Sequence, residues 1–192
     1  MRIITGRAKG IKLKTLEGDN TRPTSERVKE AVFSMIQFDI EGRKVLDLFA
    51  GSGQMALEAL SRGAASAVMV DRAKEAIAII NENARKTKLS EQCTIYQADY
   101  LDFLKRNSNN SFDIVFLDPP YALKMYKPAM EALLNNGMIK PTSLIICESG
   151  EESVFEGDEA LASRFVIERQ TKYSKTFITV FKPDIGEKNN EQ

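Results

Sequence analysis

Short apolar runs alternate with helical patterns along most of this 192-residue chain. The helical patterns place apolar side chains three and four residues apart, over the ranges 54–61, 73–87 and 127–134. The apolar runs lie at 44–48, 67–71, 93–97, 112–118 and 143–148. Continuous apolar strands joined by helices are typical of parallel sheets that are covered on both faces. The sequence therefore predicts an α/β fold with a doubly wound, mostly parallel sheet.

The two ends of the chain depart from this alternation. The runs 165–169 and 175–182 are separated only by a turn, so we expect them to pair antiparallel and to complete a seven-stranded Rossmann-like sheet. The runs 2–5 and 11–14 flank two glycines, which predicts a β-hairpin. Thr24 is expected to cap a helix over 25–37. We expect one domain over 1–183, in which 1–21 is a basic hairpin extension, followed by a flexible tail over 184–192.

Composition excludes several kinds of chemistry. The chain has no histidine, which rules out imidazole general bases and Ser-His-Asp triads and removes the commonest metal ligand. Cys93 and Cys147 have no second thiol at metal or redox spacing, so we expect buried free thiols and no metal. No uncharged apolar run approaches the ~20 residues of a membrane span. We therefore expect a soluble, cytoplasmic protein.

A glycine turn follows the first apolar run, in the segment Val45–Gly53. Gly51, Gly53 and Ala56 form a G-x-G-x-x-A pattern, and Asp71 lies 20 residues after Gly51, at the end of the second run. A turn of this kind lets a ligand approach the backbone closely, and the later carboxylate suits ribose hydroxyls. Two cofactor classes fit the pattern, the nicotinamide dinucleotides and S-adenosylmethionine.

The sign of the cofactor's charge separates these two classes. Asp47, at the mouth of the first strand, would repel a pyrophosphate but would favour the ammonium and sulfonium of S-adenosylmethionine. Asp99 follows the third strand, where it could accept from an adenine amine. Turn or cap chemistry remains the alternative for each acid alone. The sequence favours S-adenosylmethionine, with candidate cofactor residues Asp47, Phe49, Ala50, Gly51, Ser52, Gly53, Asp71 and Asp99.

The fourth apolar run ends in an acid, two prolines and an aromatic ring: Asp118, Pro119, Pro120 and Tyr121. Ligands of such sheets bind at the carboxyl ends of the strands, beside the point where the strand order reverses. The prolines fix the backbone and leave carbonyls available, the carboxylate accepts hydrogen bonds, and the ring can stack on a base. The exocyclic amine of a nucleobase fits all three features, so these four residues are the candidate catalytic loop. The alternative is a loop that only turns the chain.

With these motifs together, the chain resembles class I S-adenosylmethionine-dependent methyltransferases, and most closely the bacterial small-subunit ribosomal RNA guanine-N2 methyltransferases (RsmD-like). The matching stretches are 2–7, 10–13, 22–31, 45–53, 57–64 and 112–121. The resemblance implies methylation of the exocyclic N2 of one guanine in 16S rRNA during small-subunit assembly, with no metal and no membrane. Gln54 and Met55 depart from the family pattern, which more often has a small residue followed by an aliphatic one.

Basic residues are concentrated at the start of the chain. Residues 1–29 hold eight basic and three acidic residues, although the whole chain is neutral. Such a cluster would contact RNA phosphates without choosing a sequence, and a merely solvated hairpin is the alternative. Arg22 could border the active site or cap a helix. The candidate RNA-binding residues are Arg2, Arg7, Lys9, Lys12, Lys14 and Arg22.

Two other functions remain open at this point. An NAD-dependent oxidoreductase would use the glycine turn and Asp71, but it leaves the segment 118–121 unexplained and sets Asp47 against a phosphate. A non-catalytic RNA-binding assembly factor would keep the fold and the basic hairpin without the reaction. Another nucleic-acid exocyclic amine could also replace guanine as the acceptor.

Overall fold

The computed structural model describes residues 1–16, 26–120 and 124–185. Its helices are α1 (Glu26–Met35), α2 (Gln54–Ser61), α3 (Lys74–Thr87), α4 (Tyr100–Arg106), α5 (Tyr126–Asn135) and the one-turn α6 (Glu159–Ala162). Its strands are β1 (Lys44–Asp47), β2 (Ser66–Asp71), β3 (Cys93–Gln97), β4 (Phe112–Leu117), β5 (Ile139–Ser149), β6 (Phe165–Tyr173) and β7 (Thr176–Pro183).

The strands form one seven-stranded sheet in the order β3-β2-β1-β4-β5-β7-β6. The first five strands pair parallel to their neighbours, whereas β7 lies antiparallel between β5 and β6. The predicted sheet and its antiparallel end are therefore confirmed. The strand order reverses between β1 and β4, which are direct neighbours, so the turn after β1 and the loop after β4 emerge side by side.

Helices cover both faces of the sheet. One hydrophobic cluster joins α1, α2, α3 and the amino-terminal hairpin to one face, and the other joins α4 and α5 to the opposite face. The ring of Phe33 in α1 contacts Phe116 in β4, with centroids 5.8 Å apart. Burial on both faces explains why the central strands are continuously apolar instead of alternating.

The amino-terminal segment forms the predicted hairpin. Arg2 and Lys12 form an antiparallel bridge, and the amide of Ile3 donates to the carbonyl of Ile11 over 3.0 Å. We call residues 1–16 the arm. The arm packs on the fold through Ile3, Ala8 and Leu13, which are buried in the cluster around α2.

A buried carboxylate holds the arm to α2. Glu58 accepts from the backbone amides of Ile4 and Thr5 over 2.8 and 3.0 Å. It also pairs with Lys29 of α1 at 3.2 Å and with Arg62 at 2.9 Å. The side chains of Glu58 and Lys29 are fully buried, and burial lowers the pKa of Lys29 despite the opposing effect of Glu58. Charges buried in this way persist only when they are paired and hydrogen-bonded, so this network fixes the arm.

Some boundaries differ from the prediction. Helix α4 was not expected, because its seven residues are short and the acid before it was interpreted as a ligand contact. Helix α1 ends at Met35, followed by a turn, and β5 begins four residues earlier than predicted, at Ile139. Both cysteines are free, but only Cys147 is buried and Cys93 is partly exposed. Thr24 and residues 186–192 of the predicted tail lie outside the described residues.

No helix in the described ranges is both long enough and apolar enough to span a bilayer. This finding agrees with the absence of long uncharged apolar runs in the sequence.

Gly6 lies against the end of α2 with no room for a side chain. Its φ is +84°, and an added Cβ would lie 1.8 Å from the carbonyl oxygen of Ser61. Gly10 has nearly the same φ, +85°, but a Cβ there would meet nothing within 4 Å. We expect Gly10→Ala to cost about 1–2 kcal/mol of unfolding free energy from backbone strain, and Gly6→Ala to cost about 1–3 kcal/mol more from the clash. Urea denaturation of both variants measures this difference, and equal losses would show that the arm does not dock as described.

Candidate active site

The acids predicted at the strand ends come together at the carboxyl edge of the sheet. Asp47 lies level with Met69 in β2 and Phe116 in β4. Asp71 and Asp118 therefore each lie two residues further along their strands than Asp47. Neighbouring strands are about 4.8 Å apart and rise about 3.3 Å per residue, so Asp47 lies deeper than the two acids on either side of it.

The turn after β1 is held by backbone contacts and by Asp71. The amide of Gly51 donates to Asp71 Oδ2 over 2.9 Å, and the amide of Ala73 donates to Asp71 Oδ1 over the same distance. Gly51 and Gly53 have φ values of 53° and 76°, which favour glycine. A Cβ on Gly51 would meet nothing within 4 Å. The turn therefore exposes an open backbone surface at the position where the sequence predicts a cofactor.

Asp47 is a buried acid without a counter-ion. Its side chain is 4% exposed, and within the described ranges it forms no ion pair. The amide of Ala56 in α2 donates to its Oδ2 at 3.4 Å, a long hydrogen bond. Burial is the main reason that its pKa is raised to about 7, and the nearby Asp71 adds to the effect. A ligand with positive charge would relieve both causes.

Gln54, the first residue of α2, has a buried side-chain oxygen that is unsatisfied among the described residues. Its side chain is 8% exposed, and its Oε1 has no hydrogen-bond partner among the described residues. A buried acceptor without a donor costs about 1–3 kcal/mol and often indicates a missing water or ligand. Gln54 is also one of the two positions at which the sequence departs from the family pattern. Asp47 and Gln54 together fit a cation that carries N–H donors, as the ammonium of S-adenosylmethionine does.

Asp99 has a structural role in addition to its predicted one. It caps α4, because its Oδ1 accepts from the amide of Leu101 over 2.9 Å. An ionised carboxylate can accept further hydrogen bonds, so adenine recognition by Asp99 stays a prediction.

Tyr100 was not among the candidate site residues predicted from the sequence. Its ring contacts that of Phe49 in the turn, with centroids 5.1 Å apart. Burial and the adjacent Asp99 raise the pKa of Tyr100. The available signal was an aromatic residue directly after the acid that ends the third strand. This pair forms an aromatic wall beside the glycine turn, where a base could pack.

The predicted catalytic loop begins where β4 ends. Leu117 is the last strand residue, and the two prolines stop the strand because they cannot donate to a sheet hydrogen bond. Asp118 is half-buried, Pro119 is buried and Pro120 is exposed. Tyr121 lies outside the described residues. The loop leaves the sheet beside the turn after β1, so the predicted acceptor and cofactor positions are neighbours.

The five candidate cations of the arm differ in their ion pairing. Arg2 pairs with Glu26 at 3.4 Å, and Lys14 pairs with Glu82 at 2.8 Å. Arg7, Lys9 and Lys12 are exposed. These three form no ion pair in the described part of the chain and are the cations most accessible to phosphates. Arg22 lies outside the described residues.

The chain is similar to known methyltransferases along most of its length. The family model described as Conserved hypothetical protein 95 matches residues 1–182. A relative from Haemophilus influenzae, named ribosomal RNA small subunit methyltransferase D, is 38% identical over 79% of this chain and 80% of its own length. The chain belongs to this methyltransferase family. The Bacillus subtilis protein YlbH is 34% identical over 95% of this chain and 98% of its own length.

Solved structures give the same assignment of fold. The structure of Escherichia coli yhhF matches with a TM-score of 0.83 and 27% identity, over 96% of this chain and 98% of that one. The structure of an RNA methyltransferase from Salinibacter ruber in complex with S-adenosyl-L-homocysteine has the same fold, with a TM-score of 0.66 and 12% identity over 89% of this chain and 100% of that one. The assignment of Asp47 and Gln54 to the cofactor's cationic end, and of Asp71, Asp99 and the aromatic pair to its nucleoside, stays a prediction.

Asp47 should make both stability and cofactor binding depend on pH. The pKa of Asp47 is raised to about 7 in the folded state, so the folded protein holds the proton more tightly than the unfolded chain does. The contribution of this proton to the free energy of unfolding is complete below about pH 4 and is lost as pH rises through about 7. Relative to Asp47→Asn, the unfolding free energy of the wild type should therefore fall over this range, by at most about 1.4 kcal/mol per pH unit. Chemical denaturation from pH 4 to pH 8 measures this difference, with the exposed acid variant Asp102→Asn as control.

The ammonium of the cofactor should favour the ionised form of Asp47. We therefore expect the affinity of the wild type for S-adenosylhomocysteine to increase as pH rises through about 7, and that of Asp47→Asn to be weaker and flat. Calorimetric titrations in the same buffers test this, and parallel pH profiles for the two proteins would contradict the role of Asp47.

Proposed function

We propose that this protein transfers a methyl group from S-adenosylmethionine to the exocyclic N2 amine of a guanine in 16S rRNA, within an assembling small ribosomal subunit. The observation that carries the proposal is the neighbouring position of two loops: the glycine turn above the buried Asp47, and the Asp118-Pro119-Pro120 loop on the adjacent strand. Membership in a family that includes ribosomal RNA small subunit methyltransferase D proteins supports RNA as the substrate class.

An exocyclic amine needs help to become a nucleophile, because its lone pair is delocalised into the aromatic ring. The carboxylate of Asp118 and a carbonyl of the rigid loop are acceptors for the two amine hydrogens. Accepting both hydrogens favours the pyramidal nitrogen, whose lone pair is then available for attack. When bound, S-adenosylmethionine supplies a methyl carbon whose bond to sulfur breaks as its bond to nitrogen forms, giving S-adenosylhomocysteine and one proton. The half-buried Asp118 can pass this proton to solvent.

Positioning is the main contribution of the protein in this proposal. Holding two reactants in line replaces a bimolecular encounter and is worth about 7–11 kcal/mol when the geometry is good. Pro119 is buried and fixes the backbone of the loop, and Asp71 fixes the turn through two amides. Both reactants would thus be held by rigid backbone on neighbouring strands.

Methyl transfer to small subunits tests the function directly. Small subunits isolated from cells that lack the enzyme should accept labelled methyl groups, and mass mapping should find them on the N2 of one guanine. Label on another exocyclic amine would support the reaction and correct its acceptor. Normal RNA binding without any incorporation would favour a non-catalytic assembly factor, and calorimetric binding of NADH but not of S-adenosylhomocysteine would favour the oxidoreductase.

Asp118→Ala should reduce methyl transfer to a small residual rate while leaving S-adenosylhomocysteine binding within about twofold of the wild type, because Asp118 is expected to contact the acceptor base and not the cofactor. A loss of about 10²–10⁴ in rate is expected for a group of this kind. Radiolabelled transfer and calorimetry measure the two effects. Asp102→Ala removes an exposed acid of α4 and serves as the control. A loss of cofactor affinity in Asp118→Ala as large as its loss of methyl transfer would contradict the assigned role.

Lys9 and Lys12 should contribute to RNA affinity through phosphates. Replacing both with Gln should weaken binding to small-subunit RNA and reduce the slope of log K against log salt by about 0.7–0.9 for each phosphate that is no longer neutralised. The matched control is Lys105→Gln with Arg106→Gln, because these exposed cations lie on α4, on the opposite face of the sheet. Filter binding at several salt concentrations measures the slope, and an unchanged slope would show that these lysines do not bind phosphates.

A further inference from the structure

Asn83 in α3 joins the arm to the cofactor turn. It is fully buried. Its Oδ1 accepts from the backbone amide of Lys14 over 2.8 Å, and its Nδ2 donates to the carbonyl of Lys14 over 2.9 Å. The same Nδ2 donates to the carbonyl of Ser52, also over 2.9 Å. One side chain thus holds both backbone groups of an arm residue and one carbonyl of the glycine turn.

The chemistry of the amide explains why this position needs asparagine. A primary amide has two N–H donors and one strong acceptor, and here the three contacts use all of these groups. An alanine would make none of the contacts, and an aspartate would set a carboxylate against two carbonyl oxygens. Nothing in the sequence pattern of α3 distinguishes Asn83 from the neighbouring Asn81, which is exposed and bonds the carbonyl of Ile77 in its own helix.

The two parts that Asn83 connects have different ligands. Ser52 lies between the two glycines of the turn, where the cofactor is expected, and Lys14 lies near the end of the arm, which carries the cations that are accessible to RNA. Elsewhere the arm is held to α1 and α2, through Glu58 and Ser61. Asn83 therefore forms hydrogen bonds to both the arm and the turn.

We propose that Asn83 is a positioning residue that couples RNA binding at the arm to cofactor binding at the glycine turn. RNA bound to the arm adds contacts that hold Lys14 in place, and Lys14 holds the carbonyl of Ser52 through Asn83, so local opening of the turn is rarer when the cofactor binds. The second ligand then loses less conformational entropy than it would alone. The inference rests on the proposed function, because it takes RNA as the ligand of the arm.

Such coupling must be reciprocal. If RNA increases the affinity for cofactor by a given factor, then the cofactor increases the affinity for RNA by the same factor. The informative quantity is the ratio of the cofactor affinity measured with RNA to that measured without RNA. A substitution that only loosens the fold weakens cofactor binding equally with and without RNA and leaves the ratio unchanged, whereas loss of the link moves the ratio toward one.

The experiment measures binding of labelled S-adenosylhomocysteine by equilibrium dialysis, with and without saturating small subunits from cells that lack the enzyme. The variants are Asn83→Ala and Asn83→Leu; leucine has the branched shape of asparagine and no polar side-chain atom, so it fills the site if alanine leaves the protein too unstable. Asn81→Ala on the same helix is the matched control. Thermal unfolding confirms that each variant is folded.

We expect wild type and Asn81→Ala to bind S-adenosylhomocysteine at least about fivefold more tightly with small subunits than without them. In the folded Asn83 variants this ratio should fall to near one. A wild-type ratio of one, or an undiminished ratio in a folded Asn83 variant, overturns the inference while methyl transfer by the wild type leaves the proposed function intact. If the wild type neither binds nor methylates small subunits, the proposed function fails and the inference fails with it.

Discussion

A carboxylate buried at the end of β1 determines which ligand this sheet can accept. Asp47 lies further from the carboxyl edge of the sheet than Asp71 and Asp118 on the neighbouring strands. The charged group that raises its pKa is another acid, Asp71. Because a phosphate above this position would add a third negative charge at low dielectric, the site discriminates against dinucleotides. The same arrangement favours a cation, and it does so before any other cofactor contact is formed.

The arm is an integral part of this site and not an appendage. It is fixed to α2 by Glu58 and to the glycine turn by Asn83, both fully buried. Removing one partner of such a buried polar contact leaves the other partner unpaired and lowers the free energy of unfolding. The Asn83 hydrogen bonds join the element proposed to bind RNA to the element proposed to bind cofactor, and they are the route that we propose for coupling between the two ligands.

The sequence predicted the fold because its strands are buried on both faces and its glycine turn has a fixed spacing to Asp71. Local patterns sufficed for these features. They did not reveal Lys29, Glu58 or Asn83, since the partners of these residues, apart from Arg62 beside Glu58, are 27 to 69 positions away in the chain. Helix α4 was missed for a related reason: Asp99 serves as its cap, and a cap and a ligand contact look the same in sequence.

The most direct test of the central claim is the electron density of S-adenosylhomocysteine bound to the crystallised protein. We expect the ammonium to lie within hydrogen-bonding distance of the Asp47 carboxylate, with the nucleoside between Asp71 and the Phe49–Tyr100 pair and the sulfur facing the loop at Asp118. Density that places the ammonium away from Asp47, or that leaves the turn at Gly51 in contact only with solvent, would contradict it.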